Sequence, residues 1–211
     1  MLYIKVPYSE KELAKKKGAK WDAKKKSWYI PDGISIIDFS NWIPSGKLEQ
    51  LLRYKHLISP VFIVMSSSVC WRCGKSSRVM CIASNGFWDR ESYDLDYEDK
   101  SFSLLTYSNV SFISDGILSV VLNGFNLYKP SHSKTSNSTY YMNHCEHCGA
   151  KMGDYFMHHE PGGAFSPIDK EGAELITLIE LPNDREYYIS GDYGFNHPCY
   201  ISAYSSVVKY N

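Results

Sequence analysis

The chain begins with an alternation of hydrophobic and polar positions that predicts a short β-strand over residues 2–6, ended by Pro7. Residues 9–12 read Ser-Glu-Lys-Glu, the pattern of a capping box, in which a serine hydroxyl and a glutamate side chain satisfy free amides at the start of a helix. Gly18 is placed to end that helix. The pattern therefore predicts a strand followed by a helix.

A second strand and a second helix are predicted next. Residues 28–30 have a strand pattern and are followed by a Pro-Asp-Gly turn, and residues 34–42 have the pattern of a short helix. These elements together predict a β-α-β-α module over residues 1–44. A connecting helix over residues 45–57 is expected to join this module to the rest of the chain.

The remainder, residues 58–211, has mostly strand-like patterns. The predicted strands lie near residues 78–83, 175–181 and 200–208. One short amphipathic helix is expected to begin at Ser114. Six acidic residues between positions 89 and 99 and a serine-rich stretch at 131–139 predict solvated loops. This part of the chain is therefore expected to be a β-rich domain.

Composition supports a folded protein with much β-structure. The chain has 211 residues, of which 44% are hydrophobic and 22% charged, and this excludes an intrinsically disordered chain. Its 17 tyrosines, 9 phenylalanines and 5 tryptophans favour strands and aromatic surfaces over a helical bundle. No apolar run has the length of a membrane span, and the first residues lack a leader pattern. We therefore expect a cytoplasmic protein.

Charge is distributed unevenly, although the net charge is zero. Residues 1–33 carry a net charge of +5 from nine lysines and four acids, and the remainder carries −5. This asymmetry favours two modules with different partners. The lysines expected to contact phosphates of DNA or RNA are Lys15, Lys16, Lys24, Lys25 and Lys26. The alternative is a solvated lysine-rich face, with the nearby tryptophans in the core of the module.

The N-terminal residues also carry a family resemblance. Three segments occur in order, namely Val6-Pro7-Tyr8-Ser9-Glu10-Lys11, Gly18-Ala19-Lys20-Trp21-Asp22 and Lys26-Ser27-Trp28-Tyr29-Ile30-Pro31. They resemble the bacterial module catalogued as domain of unknown function 5710, over about residues 2–44. That module is often fused to plasmid primase-like, topoisomerase-like and antirestriction proteins, so the resemblance implies DNA metabolism. The whole chain is similar to uncharacterised bacterial proteins of the same two-part layout, and this similarity implies no particular activity.

Two Cys-x-x-Cys-Gly elements predict a metal site. The first contains Cys70 and Cys73, and the second contains Cys145 and Cys148. Two intervening residues let both thiolates of a tight turn point at one ion, and four thiolates complete the closed tetrahedral shell of a structural zinc site. We therefore predict one zinc ion held by these four residues. Two redox-active pairs or unrelated turns are the alternatives.

The two cysteine pairs are separated by 71 residues, more than the roughly 15–20 of a compact zinc ribbon. Lengthening the loop to that extent costs only about 1.2 kcal/mol of closure entropy, whereas structural zinc contributes about 10–16 kcal/mol in finger peptides. The predicted fold class is α+β. It combines the small β-α-β-α module with a β-rich zinc-ribbon domain that has a long insertion between its two knuckles.

A histidine-rich stretch is the candidate for catalysis. His158, His159 and Glu160 precede a Pro-Gly-Gly turn, and His197 lies nearer the end of the chain. Adjacent imidazoles beside a carboxylate can bind a metal or act in acid–base catalysis. Consecutive side chains of a strand point to opposite faces, however, and no H-E-x-x-H, Ser-His-Asp or Walker pattern accompanies them. We therefore expect a structural role for this stretch.

The sequence as a whole predicts a non-enzymatic accessory or binding protein stabilised by zinc. DNA, RNA or a nucleic-acid-processing protein is the expected partner. One alternative is a hydrolytic or nucleolytic enzyme that uses the histidine-rich stretch. The other is a protein–protein interaction module with no role at nucleic acids.

Overall fold

The computed structural model describes residues 2–31, 39, 41–43, 54–88, 104–195 and 199–210. The chain divides into two compact units, Met1–Tyr54 and Lys55–Asn211. Each unit has its own hydrophobic core. Within the described residues, no helix combines the length and the apolar character needed to cross a membrane.

The N-terminal unit is built on a three-stranded antiparallel sheet. Its described elements are strand β1 (Leu2–Ile4), a 3-10 helix (Tyr8–Glu10), helix α1 (Lys11–Lys16), strand β2 (Lys20–Asp22) and strand β3 (Ser27–Ile30). The strand order is β1-β3-β2, with β3 in the centre. Ala14 of α1 is fully buried in a core that also contains Trp28 and Ile30, so the helix covers one face of the sheet.

The β-α-β-α prediction for this unit is wrong. The prediction omitted strand β2, because its three residues are too few to show a periodic pattern. Pairing with β3 holds this strand in the sheet. Residues 34–38 and 40 of the predicted second helix lie outside the described residues, as do residues 45–53 of the predicted connecting helix.

The predicted capping box also does not form. Ser9 lies in the 3-10 helix, and Glu10, at the N-cap of α1, makes no side-chain capping bond. Its carboxylate instead accepts a hydrogen bond from the indole N–H of Trp42. The residue at the N-cap position therefore makes a tertiary contact and not a local cap.

The C-terminal unit contains nine strands and four helices among its described residues. The strands are β4 (Lys55–Val69), β5 (Ser76–Trp88), β6 (Leu105–Ile113), β7 (Lys129–Ser133), β8 (Ser138–His144), β9 (Lys151–Met152), β10 (Thr177–Glu180), β11 (Tyr188–Phe195) and β12 (Ser206–Lys209). The helices are α2 (Asp115–Gly124), α3 (Tyr155–His158), α4 (Lys170–Glu174) and α5 (Tyr200–Tyr204).

A closed four-stranded barrel forms the centre of this unit. Strands β11, β6, β5 and β4 form the barrel, and β10 and β12 extend the sheet beyond β4, so that the order of the six strands is β11-β6-β5-β4-β10-β12. The sheet closes because β11 also pairs with β4, where Tyr188 lies opposite His56 and Ile189 lies opposite Lys55. A separate sheet, of order β7-β8-β9, completes the unit.

The central residues of strands β4 and β5 are buried on both faces. On β4, Val61 and Ile63 belong to one hydrophobic cluster, and Phe62 and Val64 belong to a second. Strand β5 divides its side chains between the same two clusters. A strand covered on both faces needs apolar residues at every position, which explains the continuous hydrophobic run of β4.

The α+β zinc-ribbon prediction is therefore wrong, because the described residues are mostly β and the C-terminal unit is built on a barrel. The residues between the cysteine pairs are not an insertion into a ribbon. They supply β5, β6, α2, β7 and β8, which carry much of the core.

Individual elements of this unit met the predictions to different degrees. Helix α2 was predicted, and Ser114 is its N-cap residue. The serine-rich stretch at 131–139 was predicted to be a loop, but it belongs to the β7–β8 hairpin. The predicted strand at 200–208 is instead helix α5 followed by β12. The acidic stretch at 89–99 lies outside the described residues.

Candidate metal centre

The two cysteine pairs lie in the turns of two β-hairpins. Cys70 and Cys73 lie in the turn between β4 and β5, and Cys145 and Cys148 lie in the turn between β8 and β9. The fold brings these turns together although they are far apart in sequence. We refer to the four residues as the four-cysteine cluster.

The two turns have the same backbone structure. In the first, the amide of Cys70 donates to Lys75 and the amide of Gly74 donates back to Cys70, each at 2.9 Å. In the second, the equivalent bonds join Cys145 to Ala150 and Gly149 to Cys145, again at 2.9 Å. Gly74 and Gly149 have φ angles of +69° and +67°, which glycine adopts without a steric penalty. The repeated Cys-x-x-Cys-Gly motif therefore encodes one repeated turn.

The sulfur atoms have spacings that suit a tetrahedral metal ion. All four Sγ atoms lie within 4.8 Å of one another, and the Cys70–Cys148 and Cys73–Cys145 pairs are each 3.7 Å apart. Sulfurs at about 2.3 Å from a tetrahedral zinc ion lie about 3.8 Å from one another. A disulfide would need a separation of about 2.05 Å. The cluster therefore fits a shared ion better than two disulfides.

The proton affinities of the thiols also favour a cation. Desolvation raises the pKa of Cys145, but hydrogen bonds from backbone N–H groups outweigh it and lower that pKa to about 6. A hydrogen bond from the backbone amide of Ala150 lowers the pKa of Cys148, but desolvation and the neighbouring sulfurs outweigh it and raise that pKa to about 11. The neighbouring sulfurs thus oppose the ionisation of Cys148, and a bound cation would favour its thiolate.

Polar contacts outside the cluster fix the two turns against each other. The amide of Glu146 donates to the Ser77 hydroxyl at 3.0 Å, and the Arg78 guanidinium donates to the Glu146 carboxylate at 3.1 Å. A ring nitrogen of His147 lies 2.8 Å from the carbonyl of Ser76. These contacts join the two turns at points outside the sulfur atoms.

The burial of the cluster suits a structural ion. Cys70 and Cys145 are 1% exposed and belong to the second hydrophobic cluster, which also contains Phe62 and Val64. The second cysteine of each pair lies nearer to solvent. Four sulfur ligands leave no open position for water or substrate. The arrangement can therefore tie hairpins together, but it has no free position at which a metal could activate a substrate.

The histidine-rich stretch has a different structure from the one predicted. His158 lies in helix α3 and His159 is its C-cap residue, so neither lies on a strand. The His158 ring packs 4.9 Å from that of Phe165, whereas the two histidine rings are 6.5 Å apart. Burial lowers the pKa of His158 to about 3, which keeps the ring neutral. His159 and Glu160 are exposed, and His197 lies outside the described residues.

A buried carboxylate near this stretch was not predicted. Asp154 is 3% exposed, and its Oδ2 accepts a hydrogen bond of 2.7 Å from the amide of Asn109. Its Oδ1 is buried and has no hydrogen-bond partner in the described structure. Burial raises the pKa of this side chain to about 7. An isolated aspartate before a helix carries no sequence signal of burial, because the elements that cover it come from distant parts of the chain.

The predicted phosphate-contacting lysines lie in two places in the N-terminal unit. Lys15 and Lys16 are exposed on α1, where Lys15 pairs with Glu12 at 3.0 Å. Lys24, Lys25 and Lys26 are exposed in the turn between β2 and β3. The five lysines therefore belong to two elements of the unit, helix α1 and the β2–β3 turn.

The fold and the cluster define a mostly β protein of two units, one of which has a cysteine site able to hold a metal ion. Residues 1–44 match the family model described as "Domain of unknown function (DUF5710)", which confirms the resemblance inferred for the N-terminal module. The family match ends there.

Two curated Escherichia coli proteins, both named "DNA primase TraC", are similar to part of the chain. One is 50% identical over 40 residues, which is 19% of this chain and 3% of that protein. The other is 39% identical over 44 residues, which is 21% of this chain and 4% of that protein. The matched segment thus spans only a few per cent of the length of these relatives. No solved structure matches the chain significantly.

Proposed function

We propose that this chain is a non-enzymatic binding protein in which a structural zinc ion stabilises the C-terminal unit and the N-terminal unit contacts nucleic acid. The observation that carries the zinc assignment is the convergence of four sulfur atoms within 4.8 Å from two identical turns. Zinc prefers four thiolates in tetrahedral geometry, and a closed shell of this kind is structural. Such a site needs reduced cysteines, which fits the cytoplasm.

The proposed nucleic-acid contact rests on the N-terminal unit. Its matched segment is similar to proteins named for DNA priming, and residues 1–33 carry a net charge of +5. Positive charge of this density attracts phosphate backbones without regard to sequence. The unit is therefore proposed to hold the chain on DNA or RNA.

Metal analysis of the purified full chain tests the zinc proposal. We expect one zinc per chain, and loss of that zinc in a Cys70→Ser/Cys145→Ser variant. A Cys199→Ser variant is the matched control and should retain full zinc, because Cys199 is outside the four-cysteine cluster. Zinc should also be released on acidification, since protons compete for the thiolates. A zinc content near zero in protein prepared without chelator, or full zinc in the double variant, would reject the assignment.

Salt-dependent binding to an oligonucleotide tests the second part of the proposal. The logarithm of the affinity should fall linearly with the logarithm of salt concentration. A Lys24→Gln/Lys25→Gln/Lys26→Gln variant should show a shallower slope, because it neutralises fewer phosphates. If the full chain shows no binding at low salt, the nucleic-acid proposal is rejected and a protein partner becomes the hypothesis to test.

A further inference from the structure

Among the described residues of the N-terminal unit, one face of the sheet packs against a hydrophobic core and the other carries partly or fully exposed side chains. Leu2, Ile4, Trp28 and Ile30 alternate onto the face that packs against α1 in the hydrophobic core. On the opposite face the described side chains of Tyr3 and Tyr29 are partly exposed and that of Lys20 is exposed. The register places Tyr3 opposite Tyr29, and Tyr29 opposite Lys20, so one side chain from each strand forms a row across that face.

Aromatic rings and lysines lie side by side on this face. The rings of Tyr3 and Tyr29 are 5.9 Å apart and inclined at 53°, and both tyrosines are only partly buried. The Nζ atom of Lys25 lies 4.3 Å from the centre of the Tyr3 ring. Lys20 is exposed at the edge of the row. We refer to Tyr3, Lys20, Lys25 and Tyr29 as the open face.

Asp22 organises the open face. Its carboxylate accepts a 2.7 Å hydrogen bond from the Tyr3 hydroxyl, which holds that ring in place. The same carboxylate accepts bonds of 2.9 and 3.1 Å from the amides of Lys24 and Lys25. The three donated hydrogen bonds hold the Asp22 carboxylate against the Tyr3 hydroxyl and the β2–β3 turn. The exposed charged groups beside it are lysines.

The lysines of α1 lie on the other side of the unit. Ala14 is buried against the covered face of the sheet, so the sheet lies between the α1 helix that carries Lys15 and Lys16 and the open face. Lys15 is also partly neutralised by Glu12. The two sets of lysines are therefore spatially distinct and can be tested separately.

We propose that the open face is the surface on which single-stranded nucleic acid lies, with its bases stacked on Tyr29 and Tyr3 and its phosphates against Lys20 and Lys25. This inference rests on the proposed contact of the N-terminal unit with nucleic acid. Aromatic side chains on a sheet stack on bases of any sequence, and lysines beside them neutralise the backbone. Stacking requires unpaired bases, so the open face selects single strands over duplexes.

Fluorescence anisotropy with the full chain and a labelled oligonucleotide of mixed sequence tests this proposal. Tyr29→Leu should weaken binding about tenfold at fixed salt, because it removes a stacking ring. Tyr29→Phe is the matched control and should bind like the unaltered protein, since it keeps the ring. A duplex of the same length should compete less well than the unlabelled single strand.

Paired lysine variants locate the phosphate contacts. Lys20→Gln/Lys25→Gln should reduce the steepness of the log–log salt dependence by about 1.4, the value for two lost phosphate contacts on a single strand. Lys15→Gln/Lys16→Gln removes the same charge from α1 and should leave affinity within about twofold of the unaltered protein. Circular dichroism of each variant checks that the unit remains folded.

The outcomes separate this inference from the proposed function. If the unaltered chain binds no nucleic acid, both are rejected. If it binds, but the α1 pair weakens binding as much as the open-face pair, or Tyr29→Leu binds normally, the open face is rejected and the nucleic-acid function stands. Equal competition by duplex and single strand also rejects stacking on the open face.

Discussion

At the scale of single residues, Asp154 lies in an environment that disfavours its usual charged state. Its carboxylate is buried, and within the described structure only one of its oxygens has a hydrogen-bond donor, the amide of Asn109. Asn109 has a φ angle of +49°, and its side-chain amide donates to Asp192 at 2.9 Å. Asp154 therefore holds a left-handed residue of β6 in place through one carboxylate oxygen, while its other oxygen has no hydrogen-bond partner among the described residues.

This burial predicts a pH-dependent stability. Because the pKa of Asp154 is raised to about 7 in the folded chain, folding favours the protonated form. The contribution of protonated Asp154 to stability is fully present below the ordinary aspartate pKa of about 3.9. It is lost as pH rises through about 7. Asp154→Asn stays neutral and can still accept the Asn109 amide. The gain in unfolding free energy from this substitution should therefore be about 2 kcal/mol larger at pH 8 than at pH 5.

Urea denaturation of both proteins at several pH values measures this difference. The comparison also removes the opposite contribution of His158, whose pKa is lowered to about 3 by burial and whose stabilising effect is lost as pH falls. That contribution is the same in both proteins and cancels. Parallel pH profiles for the two proteins would show that Asp154 does not titrate as inferred.

At the scale of elements, the two cysteine turns depend on the backbone conformation of their glycines. Gly74→Ala or Gly149→Ala should destabilise the chain by about 1 kcal/mol, because a side chain at positive φ is strained. Gly124→Ala is the matched control. It lies at the end of α2 with nothing within 4 Å of an added Cβ, and it should be neutral or stabilising. Thermal or urea denaturation with zinc present measures all three.

A loss of stability for Gly124→Ala equal to that of the turn variants would contradict this account. It would show that glycine substitution is costly for reasons other than the turn geometry. Gly74→Ala and Gly149→Ala are expected to lose similar amounts of stability, since their two turns have equivalent hydrogen bonds.

Local sequence patterns predicted some elements well. The Cys-x-x-Cys-Gly motif predicted both turns, since it specifies the short ligand spacing and the glycine at positive φ. The serine followed by apolar positions at helical spacing predicted α2. Both features are encoded within about ten residues, where propensity and periodicity are informative.

Other elements could not be predicted because distant residues determine them. Closure of the barrel requires Lys55 and His56 to pair with Ile189 and Tyr188, and no local pattern records that pairing. Helix α5 buries only Ile201, so its five residues lack the repeated apolar positions that distinguish a helix from a strand. The open face of the N-terminal sheet depends on β2, which the sequence pattern did not reveal.

At the scale of the whole molecule, the four-cysteine cluster joins elements that are remote in sequence. It connects the β4–β5 hairpin of the large sheet with the β8–β9 hairpin of the small one. Its two buried cysteines also pack in the hydrophobic core of the same unit. The described residues of the N-terminal unit, in contrast, have a core that contains none of the four cysteines. Metal binding is therefore expected to stabilise one unit selectively.

Hydrogen exchange of the full chain with and without a chelator tests this selectivity. Removing the metal should increase exchange at residues 70–77 and 145–152, because the two hairpins lose the ion that ties them together. Residues 2–31 should exchange unchanged. The Cys70→Ser/Cys145→Ser variant is the control, since it should not respond to the chelator. Loss of protection that is equal in both units would show that the metal stabilises the molecule as a single cooperative body, and the selective role inferred from the separate cores would be wrong.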